Sequence, residues 1–322
     1  MNILVTGIDG FVGSHLAEAL TSNPGIRLFG IVENKSRVQN LSHLAHNIQL
    51  HECDILNAEA VQKVVEAVQP DQLYHLAGQA FVPFSMKSPR DTFRVNIDGG
   101  INLLEAIRLR NSSCAVLIVS SGEVYGAVHP DFLPVTETCP LAPSNPYAAS
   151  KACIDLIAQQ YRRTFKMNVV VARPFNHIGP RQSELFVASA FAKQIAEIKI
   201  GRHEARIRVG NLNPKRDFTD VRDIVRAYIA LLAKPMNEAV YNICSGKAVS
   251  IQEILDTLCE ISGINVEISP DPDRMRANEV PLVVGSTARL FAATSWEPKI
   301  PLRETLQELL KFWESKLKER PL

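Results

Sequence analysis

Near its start the sequence reads NILVTGIDGFVGSHLAEAL: an apolar β-branched run, glycines at Gly7, Gly10 and Gly13, then apolar residues at helical spacing. A strand that turns through glycines straight into a helix gathers bare backbone N–H groups and the positive end of a helix dipole at one point. A pyrophosphate can be held there. Glycines also mark ordinary turns, so the surroundings decide. The runs RLFGIVE, IQLHECD, QLYHLAG, AVLIVSS and NVVVARP follow, alternating with amphipathic stretches such as 13–20 and 58–68. This βαβα rhythm belongs to a parallel sheet covered by helices on both faces, and continuous apolar strands suit burial on both sides.

The expected fold is therefore α/β, a Rossmann-type doubly wound parallel sheet. After Pro174 proline and arginine become frequent, in RPFNHIGPRQ, GNLNPKRDF and SPDPDRMRANEVP, and the alternation loosens. A smaller C-terminal substrate-binding lobe is expected to begin there. AVYNICSG reads as one more buried strand, followed by a helix from Ser250 to Ile261, so the chain is expected to cross back. On this reading a dinucleotide-binding domain takes 1–173 plus about 239–262, and the substrate lobe takes about 174–238 plus 263–322.

Charge and cysteine usage exclude several classes. With 35 basic and 34 acidic residues the net charge is +1, which leaves no electrostatic footprint for nucleic acid or an anionic membrane. Any anionic ligand must be caught locally. Cys53, Cys114, Cys139, Cys153, Cys244 and Cys259 are scattered, with no CxxC and no His-rich spacing. Neither a disulfide framework nor a metal site is expected. Met1 leads at once into a strand, with no basic leader, and no apolar run approaches the ~20 residues needed to cross a bilayer. A soluble, cytoplasmic protein is expected.

In dinucleotide sites an acidic residue at the end of the second strand, roughly 20 residues past the glycines, holds a ribose diol. Glu33 stands there. Its carboxylate repels a 2′-phosphate while Lys35 and Arg37 lie close enough to offset it, so NAD(H) and NADP(H) both stay open. Asp54, closing IQLHECD, suits an adenine amine and equally a helix N-cap. In NPYAASK, Tyr147 and Lys151 share one helical face. A buried tyrosine beside a solvated lysine is the plain alternative, but Ser121, ending the strand in VSSGEVYG, brings a hydroxyl to the carboxyl edge of the sheet. Ser121, Tyr147 and Lys151 then make an acid/base unit. The lysine charge is expected to lower the phenol pKa from about 10, and the phenol to exchange a proton with a substrate oxygen while hydride moves at the adjacent carbon.

GIDGFVG, HLAGQAFV, VSSGEVYG, PYAASK, RPFNHIGPRQ, RDFTDVRDIVRAY and YNICSG together resemble the extended short-chain dehydrogenase/reductases that act on nucleotide sugars, over essentially the whole chain. The GxxGxxG spacing is also similar to theirs. Within that family, SSGEVYG, ARPFNHIGPRQ and VGNLNPKRDFTDVRDIVRAY most resemble GDP-4-keto-6-deoxy-D-mannose reductases, which form GDP-D-rhamnose, with GDP-mannose 4,6-dehydratases next. The resemblance implies NAD(P)H as cofactor and a GDP-sugar as substrate. It implies that Gly7, Gly10, Phe11, Val12, Gly13, Glu33, Asp54, Ile55, Leu76, Ala77, Gly78 and Pro174 line the cofactor together with Tyr147 and Lys151. For the substrate it implies Gln79, Ser121, Glu123, Asn176, Arg216, Arg276 and Glu279, the two arginines clamping the diphosphate. Asn96 is implied to support the active-site helix, and His177 either faces the substrate or is structural.

A dehydratase must also take a C5 proton and expel a C6 hydroxyl. That family carries Thr-Asp-Glu or Thr-Ser-Glu where this chain reads Ser121-Gly122-Glu123. The missing middle side chain favours a reductase, while Glu123 keeps dehydration or epimerisation open. A third alternative, an NAD(P)-binding regulatory module without turnover, could lose Tyr147 or Lys151, and both are present. Family analogy implies a homodimer through a four-helix bundle of the helix bearing Ile97, Ile101, Leu104 and Ile107 and the helix over 147–162, although that apolar spacing fits a sheet-facing stripe equally well.

Overall fold

The computed structural model describes residues 1–111, 113–275 and 280–319. The first half runs β1 (Asn2–Thr6), α1 (Phe11–Thr21), β2 (Arg27–Val32), β3 (Ile48–Glu52), α2 (Ala58–Val68), β4 (Gln72–His75), α3 (Val82–Lys87), α4 (Pro89–Phe93), α5 (Gly99–Arg110), β5 (Ala115–Val119), α6 (Pro146–Phe165) and β6 (Val169–Pro174). The second half runs β7 (Asn176–Ile178), α7 (Val187–Lys199), β8 (Arg206–Val209), β9 (Lys215–Asp220), α8 (Val221–Leu232), β10 (Val240–Ile243), β11 (Ala248–Ser250), α9 (Ile251–Ser262), β12 (Glu267–Pro270), β13 (Leu282–Val283), α10 (Ala288–Thr294) and α11 (Leu302–Lys318).

The main sheet has seven parallel strands in the order β3-β2-β1-β4-β5-β6-β10. Strand order reverses at β1, which pairs with β2 on one side and β4 on the other. Open α/β sheets bind ligands at such a switch point, beyond the carboxyl ends of the strands, and the glycine loop follows β1 there. Alternate side chains divide between two cores, as the two-residue period requires. Ile3, Val5, Leu117 and Val170 join the core under α1 and α8, while Leu4, Val116, Ile118 and Val171 join that under α2, α5 and α6.

The smaller lobe centres on β9, which pairs with β7, β11 and β13. Its core takes Phe191 from α7, Ile254 and Leu258 from α9, and Leu309 and Trp313 from α11. Here the structure departs from the sequence expectation. Only β10, from the span 239–262, returns to the main sheet; Ser250 caps α9 in a capping box, and the helix buries Ile251, Ile254, Leu255 and Leu258 in the smaller lobe. Conversely α8, expected with the smaller lobe, buries Ile224, Val225, Tyr228 and Leu231 against the main sheet. On α5, Leu104 and Ile107 are fully buried against the sheet, so half of the stripe considered for dimerisation faces inward; Ile97 and Ile101 are half-buried. Among the described residues no helix is long and apolar enough to cross a membrane.

Candidate active site

Gly7 leaves β1 with φ at 67°, a conformation that favours glycine, and a Cβ on it would fall 2.8 Å from the Ala77 backbone nitrogen. Strand β4 can therefore pass close beneath the loop. Gly10 N donates to Gly7 O at 3.1 Å and caps α1 with no side chain, so the N–H groups of Phe11, Val12 and Gly13 open the helix beside the sheet edge. The Phe11 ring stacks on His177, centroids 6.0 Å apart, and meets His15 edge-on at 5.8 Å. His177 Nδ1 donates to Phe175 O at 3.0 Å, since a carbonyl only accepts, and burial lowers its pKa. It is a neutral ring bracing the glycine loop.

Glu33 is exposed just past β2. Half-buried Asp9, which the sequence reading passed over, stands within its field: burial pushes the Asp9 carboxyl up, and the Glu33 charge adds to this. Lys35 N donates to Glu52 Oε2 at 3.1 Å, and the Arg37 side chain lies outside the described residues. Asp54 does not cap α2. Its Oδ1 accepts from Leu56 N at 2.9 Å, and Asn57 makes the cap by accepting from Ala60 N at 3.1 Å. Ile55 is buried behind Asp54.

Ser121 follows β5 and caps a 3-10 turn, Gly122–Tyr125, by accepting from Glu123 N at 3.2 Å. Asn145 caps α6, accepting from Ala148 N at 2.8 Å, which sets Tyr147 in the first helical turn. Burial pushes the Tyr147 phenol up to about 12; a hydrogen bond with Ser121 opposes this, and the Glu123 charge adds to it. Lys151, one turn on, is buried, donates from Nζ to Val119 O at 2.8 Å, and is pushed by burial down to about 8. The expectation that Lys151 lowers the phenol pKa is thus corrected. The ammonium is directed at the end of β5, and desolvation of the phenolate prevails.

Beneath the pair, a Cβ on Gly78 would lie 2.8 Å from Asn96 Oδ1 and 3.6 Å from Lys151 Nζ. Asn96, in a π-helical turn at Arg94–Asp98, accepts from Gln79 N at 2.8 Å and donates to Gln79 O at 3.0 Å and Ser150 Oγ at 2.8 Å. It ties the end of β4 to α6. Leu76 N and Ala77 N donate to Thr6 O and Thr6 Oγ1, both at 3.2 Å. Buried His75, 2.8 Å from Thr6 Oγ1, is pushed down to about 3 by burial and then by the Lys151 charge. The narrow cradle of Gly7 and Gly78 and the uncapped start of α1 fit a dinucleotide.

On the substrate side Pro174 ends β6 buried, and Asn176 opens β7 half-buried. Glu123 Oε2 accepts from Asn145 Nδ2 at 3.5 Å. Arg216, on β9, donates from Nη1 to Lys215 O at 2.9 Å. Its neighbour Asp217 is buried and accepts from Ser245 N and Oγ, both at 2.6 Å, and from Gly246 N at 2.9 Å. Arg276 and Glu279 lie outside the described residues. A second buried assembly went unforeseen: Arg173 donates from Nε and Nη2 to Asp155 at 2.7 and 3.0 Å and from Nη1 to Tyr125 OH at 2.9 Å. Tyr125 OH donates onward to Asn242 Oδ1 at 2.6 Å. An arginine inside the apolar run VVVARP was its one visible signal.

The family model described as GDP-mannose 4,6 dehydratase matches residues 4–309. The chain belongs to that family. It is 38% identical to the GDP-6-deoxy-D-mannose reductase of Pseudomonas aeruginosa over 98% of both chains. It is 30% identical to GDP-mannose 4,6 dehydratase 2 of Caenorhabditis elegans, over 95% of this chain and 87% of that one. Among solved structures it is similar to RMD from Pseudomonas aeruginosa complexed with NADPH, with a TM-score of 0.85, 37% identity, and coverage of 98% of this chain and 99% of that one. The family is one of extended short-chain dehydrogenase/reductases with a Rossmann-type sheet, the class expected from the motifs.

Proposed function

We propose that this chain reduces the 4-keto group of GDP-4-keto-6-deoxy-D-mannose to give GDP-D-rhamnose, with NAD(P)H as cofactor. The observation that carries the reading is the placement of the Tyr147 phenol: the Asn145 cap sets it in the first turn of α6, hydrogen-bonded to Ser121 just past β5 and one turn before Lys151. Keto reduction consumes one hydride and one proton, and a protonated phenol is the donor it needs. When bound, the reduced nicotinamide supplies the hydride. Tyr147 gives its proton to the carbonyl oxygen and Ser121 donates a hydrogen bond to the same oxygen. Lys151 and the Gly78 backbone hold the cofactor ribose, the start of α1 holds the pyrophosphate, and Glu33 faces the other ribose. Arg216 is assigned to the diphosphate of the sugar nucleotide and Asn176 to the sugar, and the family resemblance assigns Arg276 and Glu279 to the substrate as well. The resemblance to a GDP-6-deoxy-D-mannose reductase across the whole chain supports this reading.

A 4,6-dehydratase is the second reading, and Glu123 is what favours it: a carboxylate two residues from Ser121, available to take a C5 proton. Purified protein given GDP-mannose with oxidised cofactor, then GDP-4-keto-6-deoxymannose with reduced cofactor, separates the two. Conversion of the first with loss of water, and none of the second, refutes the reductase; turnover of neither points to a regulatory module.

The assembly we infer is a homodimer through α5 and α6, where Leu109, Cys153 and Leu156 are exposed. A monomer by light scattering at micromolar concentration refutes it. Free, unpaired cysteines suit a reducing cytoplasm.

A further inference from the structure

The two groups expected to meet the reacting oxygen belong to different elements: Tyr147 lies in the first turn of α6, and Ser121 caps the 3-10 turn Gly122–Tyr125. Their spacing depends on how that turn is held against the helix. At its near end the join is made by Lys151 Nζ, which donates to Val119 O at 2.8 Å, and by Ser120 Oγ, which donates to Lys151 O at 3.3 Å. Tyr125 closes the far end. Asp155 lies one helical turn beyond Lys151, so Tyr147, Lys151 and Asp155 follow one another along a single face of α6.

Arg173, on β6 between β5 and β10, joins Asp155 to Tyr125. Its Nε and Nη2 donate to the Asp155 carboxylate at 2.7 and 3.0 Å, and its Nη1 donates to Tyr125 OH at 2.9 Å. All three side chains are buried. The phenol has one proton, which goes to Asn242 Oδ1 at 2.6 Å, and Asn242 Nδ2 in turn donates to Val135 O at 3.0 Å. Each donor therefore meets its acceptor in one order only. The Tyr125 ring also stacks on Phe175, centroids 6.3 Å apart, and Phe175 packs on the start of the same turn, where a Cβ on Gly122 would lie 3.0 Å from its ring.

We propose that Arg173 and Tyr125 are positioning residues: they latch the Ser121–Tyr125 turn to α6 and thereby hold the Ser121 hydroxyl within hydrogen-bonding reach of the Tyr147 phenol. They act through Ser121 and carry no proton to substrate. A buried ion pair often does no better for stability than apolar residues of the same volume, and what Arg173 supplies is direction, since its planar fork holds the helix with two donors and the turn with a third. Removing the Tyr125 hydroxyl strands Arg173 Nη1 and Asn242 Oδ1 and frees the turn, while the ring stays in place against Phe175. The inference rests on the reading that Ser121 and Tyr147 serve one substrate oxygen, and adds to it what sets their spacing.

The test sets Tyr125→Phe beside Ser121→Ala and the double variant, all in the full chain, and follows both keto reduction and amide exchange by mass spectrometry. Tyr125→Phe should lower kcat about tenfold while substrate KM and the NAD(P)H dissociation constant, read by fluorescence titration, stay within about twofold. Added to Ser121→Ala, the same change should lower kcat by less than about twofold further, because the hydroxyl it positions is already gone. A purely structural loss would multiply. Val65→Ala, which thins the same core from α2, should leave kcat within about twofold. Without any substrate, the amides of Val124 and Gly126, which donate to Ser121 O and Glu123 O, should exchange about tenfold faster in Tyr125→Phe than in wild type. Unchanged exchange, an unchanged kcat, or losses that multiply in the double variant overturn the latch. A wild-type protein that reduces no keto sugar overturns the reductase reading instead, and the exchange measurement then decides the latch by itself.

Discussion

Replacing Lys151 by methionine should make the free protein more stable while removing most of its turnover. Lys151 is 8% exposed, and burial takes its pKa from the usual 10.5 to about 8. At about 1.4 kcal/mol per pH unit, this difference means that the charged lysine opposes folding by about 3 kcal/mol at neutral pH. Methionine removes that cost and also the Nζ bond to Val119 O, worth about 1 kcal/mol, which leaves a net gain of about 2 kcal/mol. The pH dependence identifies the cause. Between pH 8 and 10.5 the unfolded lysine holds a proton that the folded one has lost, so wild-type stability rises with pH across that window. Below pH 8 both states are protonated and the penalty is complete. Urea unfolding of both proteins from about pH 7 to pH 10.5 should therefore show the Lys151→Met advantage shrinking as pH rises. Turnover should fall by about 10²-fold or more at every pH, because the proposed mechanism uses this ammonium to hold the cofactor ribose. A variant less stable than wild type at pH 7, or an advantage independent of pH, refutes the reasoning.

Three further outcomes follow from the geometry. Asp155→Ala strands the buried Arg173 guanidinium with only Tyr125 beside it and should cost about 3–5 kcal/mol in denaturant unfolding. Glu33→Ala should weaken NADH binding several-fold and leave or improve NADPH binding, read by fluorescence titration; equal losses would show that Glu33 does not face the ribose. Glu123→Gln should leave keto reduction standing within about tenfold, because Tyr147 still supplies the proton; collapse of GDP-mannose consumption in the same variant would instead reveal a dehydratase.

Local features of this chain were legible because their causes are local. Tyr147 and Lys151 are placed by helical pitch, and the glycine loop by its junction between β1 and α1, so spacing alone brought them to one edge of the sheet. The direction of the Lys151 ammonium was not legible, because it depends on Val119, 32 positions away. The same distinction explains the misassigned helices. An amphipathic stripe says that α8 and α9 each bury a face, but not against which core, and the two exchange places relative to expectation. Asn96 reaches Gln79 and Ser150 from within a π-helical turn, and no residue pattern announces that turn. Phe81 and Phe186 are the extreme case. Each is read from sequence as an ordinary apolar residue at the edge of a helix, and the contact between them arises only when two segments, more than 100 positions apart, meet in the fold. Spacing therefore places the groups expected to carry the proton, whereas contacts between distant loops are created by tertiary structure.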